Sequence, residues 1–213
     1  MGTDIHSVFQ RHDKATRQWH DVPSHYEQDR HYQLFAVLAG VRNGHGFAGI
    51  QTGEAVTQIA QPRGLPADFA MDDEAHPLAT LEHMDPGRRK YYEADEKLEQ
   101  WMGNHSHSWL TSDEMLAWAE KAPEVVKTGV LDRVVYEAWD GTSQPPSYCG
   151  HISGSDVVQI NDNAVEKAQT PNWTHIRCNW QSDLRAELAY FFDEVARLTV
   201  EHGKIRFVFG FDS

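Results

Sequence analysis

Hydrophobic positions in this chain recur with two periods, and the change from one to the other marks out its elements. Residues 3–10, TDIHSVFQ, alternate: Ile5, Ser7 and Phe9 share one face, and Asp4, His6 and Val8 the other. That is the period of a strand. RHDKAT supplies turn chemistry, so RQWHDV is expected to return as the second arm of a hairpin. Beyond Pro23 the period lengthens. HYQLFAVLAG, residues 31–40, opens a helix on which Leu34, Leu38 and Val41 form one stripe, supported by Phe35 and Val37. Residues 40–66 are rich in glycine with two prolines, which predicts a long ordered loop. Residues 67–104 are acidic and weakly periodic, an expected insertion or lid, with a helix over YYEADEKLEQWM.

A second helix is expected over 112–121. Thr111 and Glu114 match a T-x-x-E capping box, Leu110 and Met115 occupy the staple positions, and Pro123 closes the element. LDRVVYEAWD, residues 131–140, reads as a short helix, and TSQPPSYCGHISGS as loop. DVVQI and THIRCNW read as short strands. Ser182 is placed to cap a long helix from 183 to about 202, with Leu184, Leu188, Phe191, Val195 and Leu198 stepping along one buried stripe before Gly203. The closing KIRFVFGFDS alternates Ile205, Phe207, Phe209 and Phe211 on one face. These elements predict a single α+β domain over 1–213, with an N-terminal hairpin, a C-terminal strand–helix–strand, and helices packed on a mixed sheet.

Composition narrows the partners. The 213 residues carry 32 acidic against 19 basic side chains, a formal charge of -13. Nucleic-acid affinity comes mainly from Lys and Arg displacing counterions, so free DNA or RNA is not expected to bind. No apolar run reaches the roughly 20 residues of a membrane span, and MGTDIHSVFQ lacks the basic-then-apolar order of a secretory signal. Two cysteines, Cys149 and Cys178, are too few for a disulfide framework. A reduced cytoplasmic setting is the simplest reading, and Cys178, alternating with Ile176 and Trp180, is expected in the core.

Four groups of residues have chemistry to offer. Asp4 and His6 stand at i and i+2, so on a strand their carboxylate and imidazole lie side by side, as a catalytic pair or a polar sheet face. His105 and His107 in GNHSHS would likewise face one side if extended. They read either as ligands of a divalent metal such as zinc or as a polar lead-in to the next helix. A metal needs three or four ligands, and Asp4, His6 and Asp212 are the candidates to complete the set. GHGFAG satisfies G-x-G-x-x-G literally, but a helix precedes it and no amphipathic helix follows, which excludes a dinucleotide fold. Glycines still let backbone N–H groups approach an anion. Arg42 and Arg63 flank that loop, either to grip a phosphate or carboxylate or to pin the loop through its carbonyls.

MGTDIH, VRNGHGFAG, PRGLP, HSHSWLT and the closing RFVFGFDS, taken as a set, resemble a group of bacteriophage and prophage proteins across nearly the whole chain. The resemblance implies a phage or prophage genome context, which would make the cytoplasm that of a host bacterium, and carries no activity with it. The expected function is a polar, histidine-rich site for a small anionic molecule, with metal-assisted hydrolysis as its catalytic form. The alternatives are a protein that sequesters a small molecule or nucleotide without turnover, and one that binds a host protein.

Overall fold

The alternating N-terminal segment forms β1 (Asp4–His12), which pairs antiparallel with β2 (Trp19–Val22) as the expected hairpin. The computed structural model describes residues 2–28, 30–70 and 102–212. The 67–104 segment and the helix expected within it therefore lie almost wholly outside the described residues. Helix α1 (Tyr32–Ala39) begins at His31, whose Nδ1 accepts from the Leu34 amide, and ends at Gly40 in the left-handed conformation. Its residues Leu34 through Ala39 are all buried, so it is a core helix rather than an amphipathic one.

The chain resumes in β3 (His105–Thr111), which runs directly into α2 (Ser112–Ala119). The capping box at that junction is as expected. Thr111 Oγ1 accepts from the Glu114 amide at 3.3 Å, and Glu114 Oε2 accepts from the Thr111 amide at 2.8 Å. Leu110 and Met115 are both fully buried. Strand β4 (Glu124–Asp132) follows, then α3 (Arg133–Ala138), β5 (Gln159–Asn161), α4 (Ala164–Gln169) and β6 (His175–Asp183). The expected C-terminal helix is two helices, α5 (Leu184–Glu187) and α6 (Ala189–His202), before β7 (Ile205–Asp212). Its cap is Asp183, which accepts from the Arg185 and Ala186 amides, rather than Ser182. The break falls at Leu188 (φ -102°, ψ 17°). A periodic stripe survives such a break because Leu184, Leu188, Phe191, Val195 and Leu198 are all still fully buried.

The fold is α+β, built on two sheets. One is antiparallel in the order β2-β1-β7-β3; the other has the order β4-β6-β5, with β4 antiparallel and β5 parallel to β6. The C-terminal strand–helix–strand order is present, but β6 and β7 belong to different sheets, so it is not a crossover within one sheet. Strand β4 escaped the sequence pattern because its EVVKTGVLD mixes exposed and buried positions with a central glycine.

One face of the first sheet carries Phe9, Phe207, Phe209 and Phe211 into a core shared with α1, α2 and α6. Ring centroids there lie 4.5 Å apart for Phe9–Phe207 and 5.1 Å for Phe191–Phe207, within the range of favourable aromatic pairs. The second sheet has its own cluster around Leu131, Ile176 and Trp180, and includes Cys178, whose thiol burial pushes up to about 11. On the opposite face of the first sheet, Arg206 is almost completely buried. It donates to Gln10 Oε1 at 2.9 Å and to Asp68 Oδ1 at 2.6 Å, and stacks over Trp19. No helix among the described residues is long and apolar enough to cross a membrane.

Two outcomes test this packing. Leu188→Ala should cost about 2–5 kcal/mol in a denaturant titration, since a large aliphatic side chain is removed from a closed core; a loss below about half a kcal/mol would show that the site collapses without a cavity. Glu194, nearly buried on α6, accepts from Arg197 and from the His25 amide, which holds its carboxyl down at about 2 against 4.5. A depressed folded pKa means its contribution is fully present above about pH 4.5 and is lost as pH falls toward 2. The denaturation midpoint should fall across that window, and Glu194→Gln should flatten the fall; equal acid sensitivity in both proteins would contradict it.

Candidate functional site

The register of the first sheet brings the candidate residues of the two termini together. Asp4 pairs with Asp212 and His6 with Gly210, so these four positions share one face at one end of the sheet. The carboxylate that orients His6 is that of Asp212, with Nε2 and Oδ2 3.0 Å apart, rather than that of Asp4. Asp4 faces Arg30 instead, bonded through Nε and, at 2.8 Å, through Nη2. The guanidinium beside it holds the Asp4 carboxyl below its ordinary value. Both pairs are half-exposed.

The two histidines of HSHS part company. His105 pairs with Phe211 and Ser108 with Phe209, so Ser106 and His107 together oppose Gly210. This is a β-bulge, with Ser106 in the left-handed region at φ 54°. The extra residue cancels the i, i+2 rule and sends the imidazoles to opposite faces. His105 stacks on the Phe211 ring, its Nδ1 3.0 Å from Ser106 Oγ, and burial followed by the nearby His107 lowers its pKa. His107 lies over Gly210, with its Nε2 3.1 Å from the Gly103 carbonyl. The expectation that both face one side is therefore corrected. Among the described residues no group of three or more His, Cys, Asp or Glu side chains is placed to hold a metal ion, and the donor set of Asp4, His6, His105, His107 and Asp212 does not fit one.

Arg42 and Arg63 also separate. Arg63 donates through Nε and Nη2 to the Trp109 carbonyl, bonds both Glu114 oxygens, and stacks over the Trp109 ring at 4.0 Å. It pins the loop to the β3–α2 junction, the structural alternative its sequence position left open. Burial opposes the charge on Glu114, but the bonds from Arg63 and Thr111 outweigh it and hold that carboxyl low.

Arg42 lines a cleft of about 240 Å³ that opens at the N-terminus of α1. One wall is built on the first sheet: Arg42 donates to Thr3 Oγ1 at 2.9 Å and stands over the Tyr32 ring, and Arg30 is held by Asp4. The glycine-rich loop adds Gly44, His45, Gly46 and Thr52. The second wall comes from β4, the loop after α3 and α5, through Lys127, Tyr148 and Glu187 respectively. Lys127 Nζ donates to Gln33 Oε1 at 2.7 Å and to Glu187 Oε1 at 3.0 Å. Gly53 lets the loop lie against β4, since a Cβ there would stand 2.8 Å from the Val126 carbonyl. Three permanent cations and a helix N-terminus thus converge on one concavity, against a single carboxylate in its lining.

No protein-family model, no curated protein and no solved structure matches this chain. Its chemistry is read from the geometry alone. Of the candidates, Asp4, His6 and Asp212 are brought together, Arg42 reaches the cleft, and Arg63, His105 and His107 serve elsewhere. Sequence reasoning missed Arg30, Lys127, Tyr148 and Glu187. Their signal is three-dimensional, since they come from four separate segments with no motif between them.

The bulge has a measurable requirement. A Cβ on Gly210 would lie 1.9 Å from the Met102 carbonyl oxygen and 2.6 Å from His107 Cδ2. Gly210→Ala should destabilise the protein by about 1–3 kcal/mol, the usual range for overpacking, read as a shift in denaturation midpoint. An unchanged midpoint would show that the 102–107 segment does not press on β7 as described.

Proposed function

We propose that this protein binds a small anionic molecule, with phosphate as the fitting group, in the cleft at the N-terminus of α1. The observation that carries this is the convergence of Arg30, Arg42 and Lys127 on one concavity, with Glu187 in its lining and Asp4 behind Arg30, in a chain whose formal charge is -13. A second concavity, at the other end of the first sheet, also gathers Arg63, Lys204 and Arg206 with Asp68. There, however, Arg63 is bound to Glu114 and the Trp109 carbonyl, and Arg206 to Gln10 and Asp68. The glycine-rich loop and the helix N-terminus set the cleft at α1 apart from it. Arginine forks match phosphate and carboxylate geometry, and the dipole of α1 adds favourable potential at its N-terminus. Gly44 and Gly46 keep that side of the cleft open to a ligand's approach.

The reading is one of capture rather than turnover. Of the groups that metal-assisted hydrolysis would use, His105 turns to the other sheet face and Asp4 is committed to Arg30, and His6 with Asp212 forms an oriented pair outside the lining of the cleft. The resemblance to phage and prophage proteins supports action in the cytoplasm of a bacterial host, on a host-derived molecule.

Inorganic phosphate is the direct probe, followed by calorimetry. Arg42→Ala should weaken its binding about ten- to a hundredfold, because a charge-assisted hydrogen bond contributes about 1.5–3 kcal/mol. A melting curve run beside it separates loss of binding from loss of the Thr3 and Tyr32 contacts. Unchanged affinity in a folded variant would remove Arg42, and with it this cleft, from the function.

A further inference from the structure

We infer that the ligand is an oxyanion that carries its own proton at neutral pH, hydrogen phosphate, and that the Glu187 carboxylate accepts that proton and turns sulfate away. This rests on the anion-binding reading above and narrows it from a charge class to one ion.

Donors alone cannot make that choice. Guanidinium and ammonium groups attract any oxyanion, and phosphate and sulfate are tetrahedral ions of nearly the same size. Whatever else Arg30 and Arg42 bond, they treat the two alike. An acceptor tells them apart. An ionised carboxylate offers only lone pairs. It takes a hydrogen bond from the proton of hydrogen phosphate, but it meets sulfate oxygen to oxygen and charge to charge. A carboxylate in the lining of an anion cleft therefore counts against every fully ionised oxyanion. Only a proton on the ligand turns it into a contact.

Glu187 is that carboxylate. Lys127 Nζ donates to its Oε1 and Ser182 Oγ to its Oε2, each at 3.0 Å, and His31 Nε2 stands 4.0 Å from Oε1. The two bonds fix the carboxylate in place. They use two of about four lone-pair sites, so acceptor capacity is left for a ligand.

Lys127 brings the ligand within reach. Its ammonium has three protons, of which Gln33 Oε1, at 2.7 Å, and Glu187 Oε1 take two. An oxygen accepting the third would stand about 4–5 Å from Glu187 Oε1, by tetrahedral geometry at Nζ and ordinary hydrogen-bond lengths. The next oxygen of the same ion spans most of that gap and arrives beside the carboxylate, where it needs a proton. The side chains of Lys127 and Glu187 are only 14% and 19% exposed, so water screens a bare oxygen poorly there.

Calorimetry on the full chain at about pH 8 compares four dianions of equal charge. Hydrogen phosphate and hydrogen arsenate keep one proton. Sulfate has none, and methyl phosphate, a monoester with a second pKa of about 6, has lost its own. The first two should bind about ten- to a hundredfold tighter than the last two, the effect of one hydrogen bond to a charged group. That comparison needs no variant. In Glu187→Gln, where an amide nitrogen can donate to a bare oxygen, the ratio should fall toward one, chiefly because sulfate tightens; a melting curve confirms the fold. Four equal affinities, any other grouping of the four ions, or an undiminished ratio in folded Glu187→Gln would overturn this inference and leave the anion-binding reading standing. No binding of any of the four would overturn both.

Discussion

Ladder bonds on both edges and side chains packed on both faces enclose β7 from Ile205 to Phe211, and the remaining elements are placed by what that enclosure requires. Its phenylalanine face demands apolar cover, which α1 and α6 supply. Its other face carries Arg206, whose burial is tolerable only with Gln10 and Asp68 bonded to it and Trp19 stacked against it. Gly210 is where backbone, not side chain, does the covering: the Met102 carbonyl presses into the space a Cβ would occupy. The last strand of the chain thus sits at the centre of its sheet, and joining β1 to β3 through it sets the two ends of the sequence side by side.

From that placement the chemistry follows. Pairing Asp4 with Asp212 and His6 with Gly210 gives the His6–Asp212 bond and frees Asp4 to hold Arg30. Arg30 and the neighbouring Arg42 then stand at the start of α1, facing the second sheet across the cleft. The cleft that results gathers Arg30, Arg42 and Lys127 with Glu187 in a chain whose formal charge is -13. The position of the cleft depends on the register of β1 and β7 as much as on the residues that line it.

Much of this frame was legible in the sequence. The alternation of TDIHSVFQ and RFVFGF, the stripe from Leu184 to Leu198 and the Thr111–Glu114 box each express a local period or a local bond, and each stands as read. What could not be read depends on partners distant in the chain. Nothing in HSHS announces that Ser106 adopts a positive φ and turns the two imidazoles apart; that is decided by the pairing of β3 with β7. Leu188 keeps its place in the stripe while interrupting the helix, so periodicity cannot reveal the break. Arg42 was legible as an anion-binding candidate because glycines surround it, but Arg30, Lys127 and Glu187, which line the same cleft, lie up to 145 residues away and meet it only in the fold.

The central claim is that this one cleft is where the protein meets its ligand, and residue-resolved NMR during a titration with inorganic phosphate tests it most directly. Shifts are expected to gather on the amides of Arg30 to Gln33, on Arg42 and the Gly44–Gly46 loop, and on Lys127, while β5 and α4 stay still. A titration that moves none of these, or moves instead the signals around Trp19, Lys204 and Arg206 at the other end of the first sheet, would contradict the account.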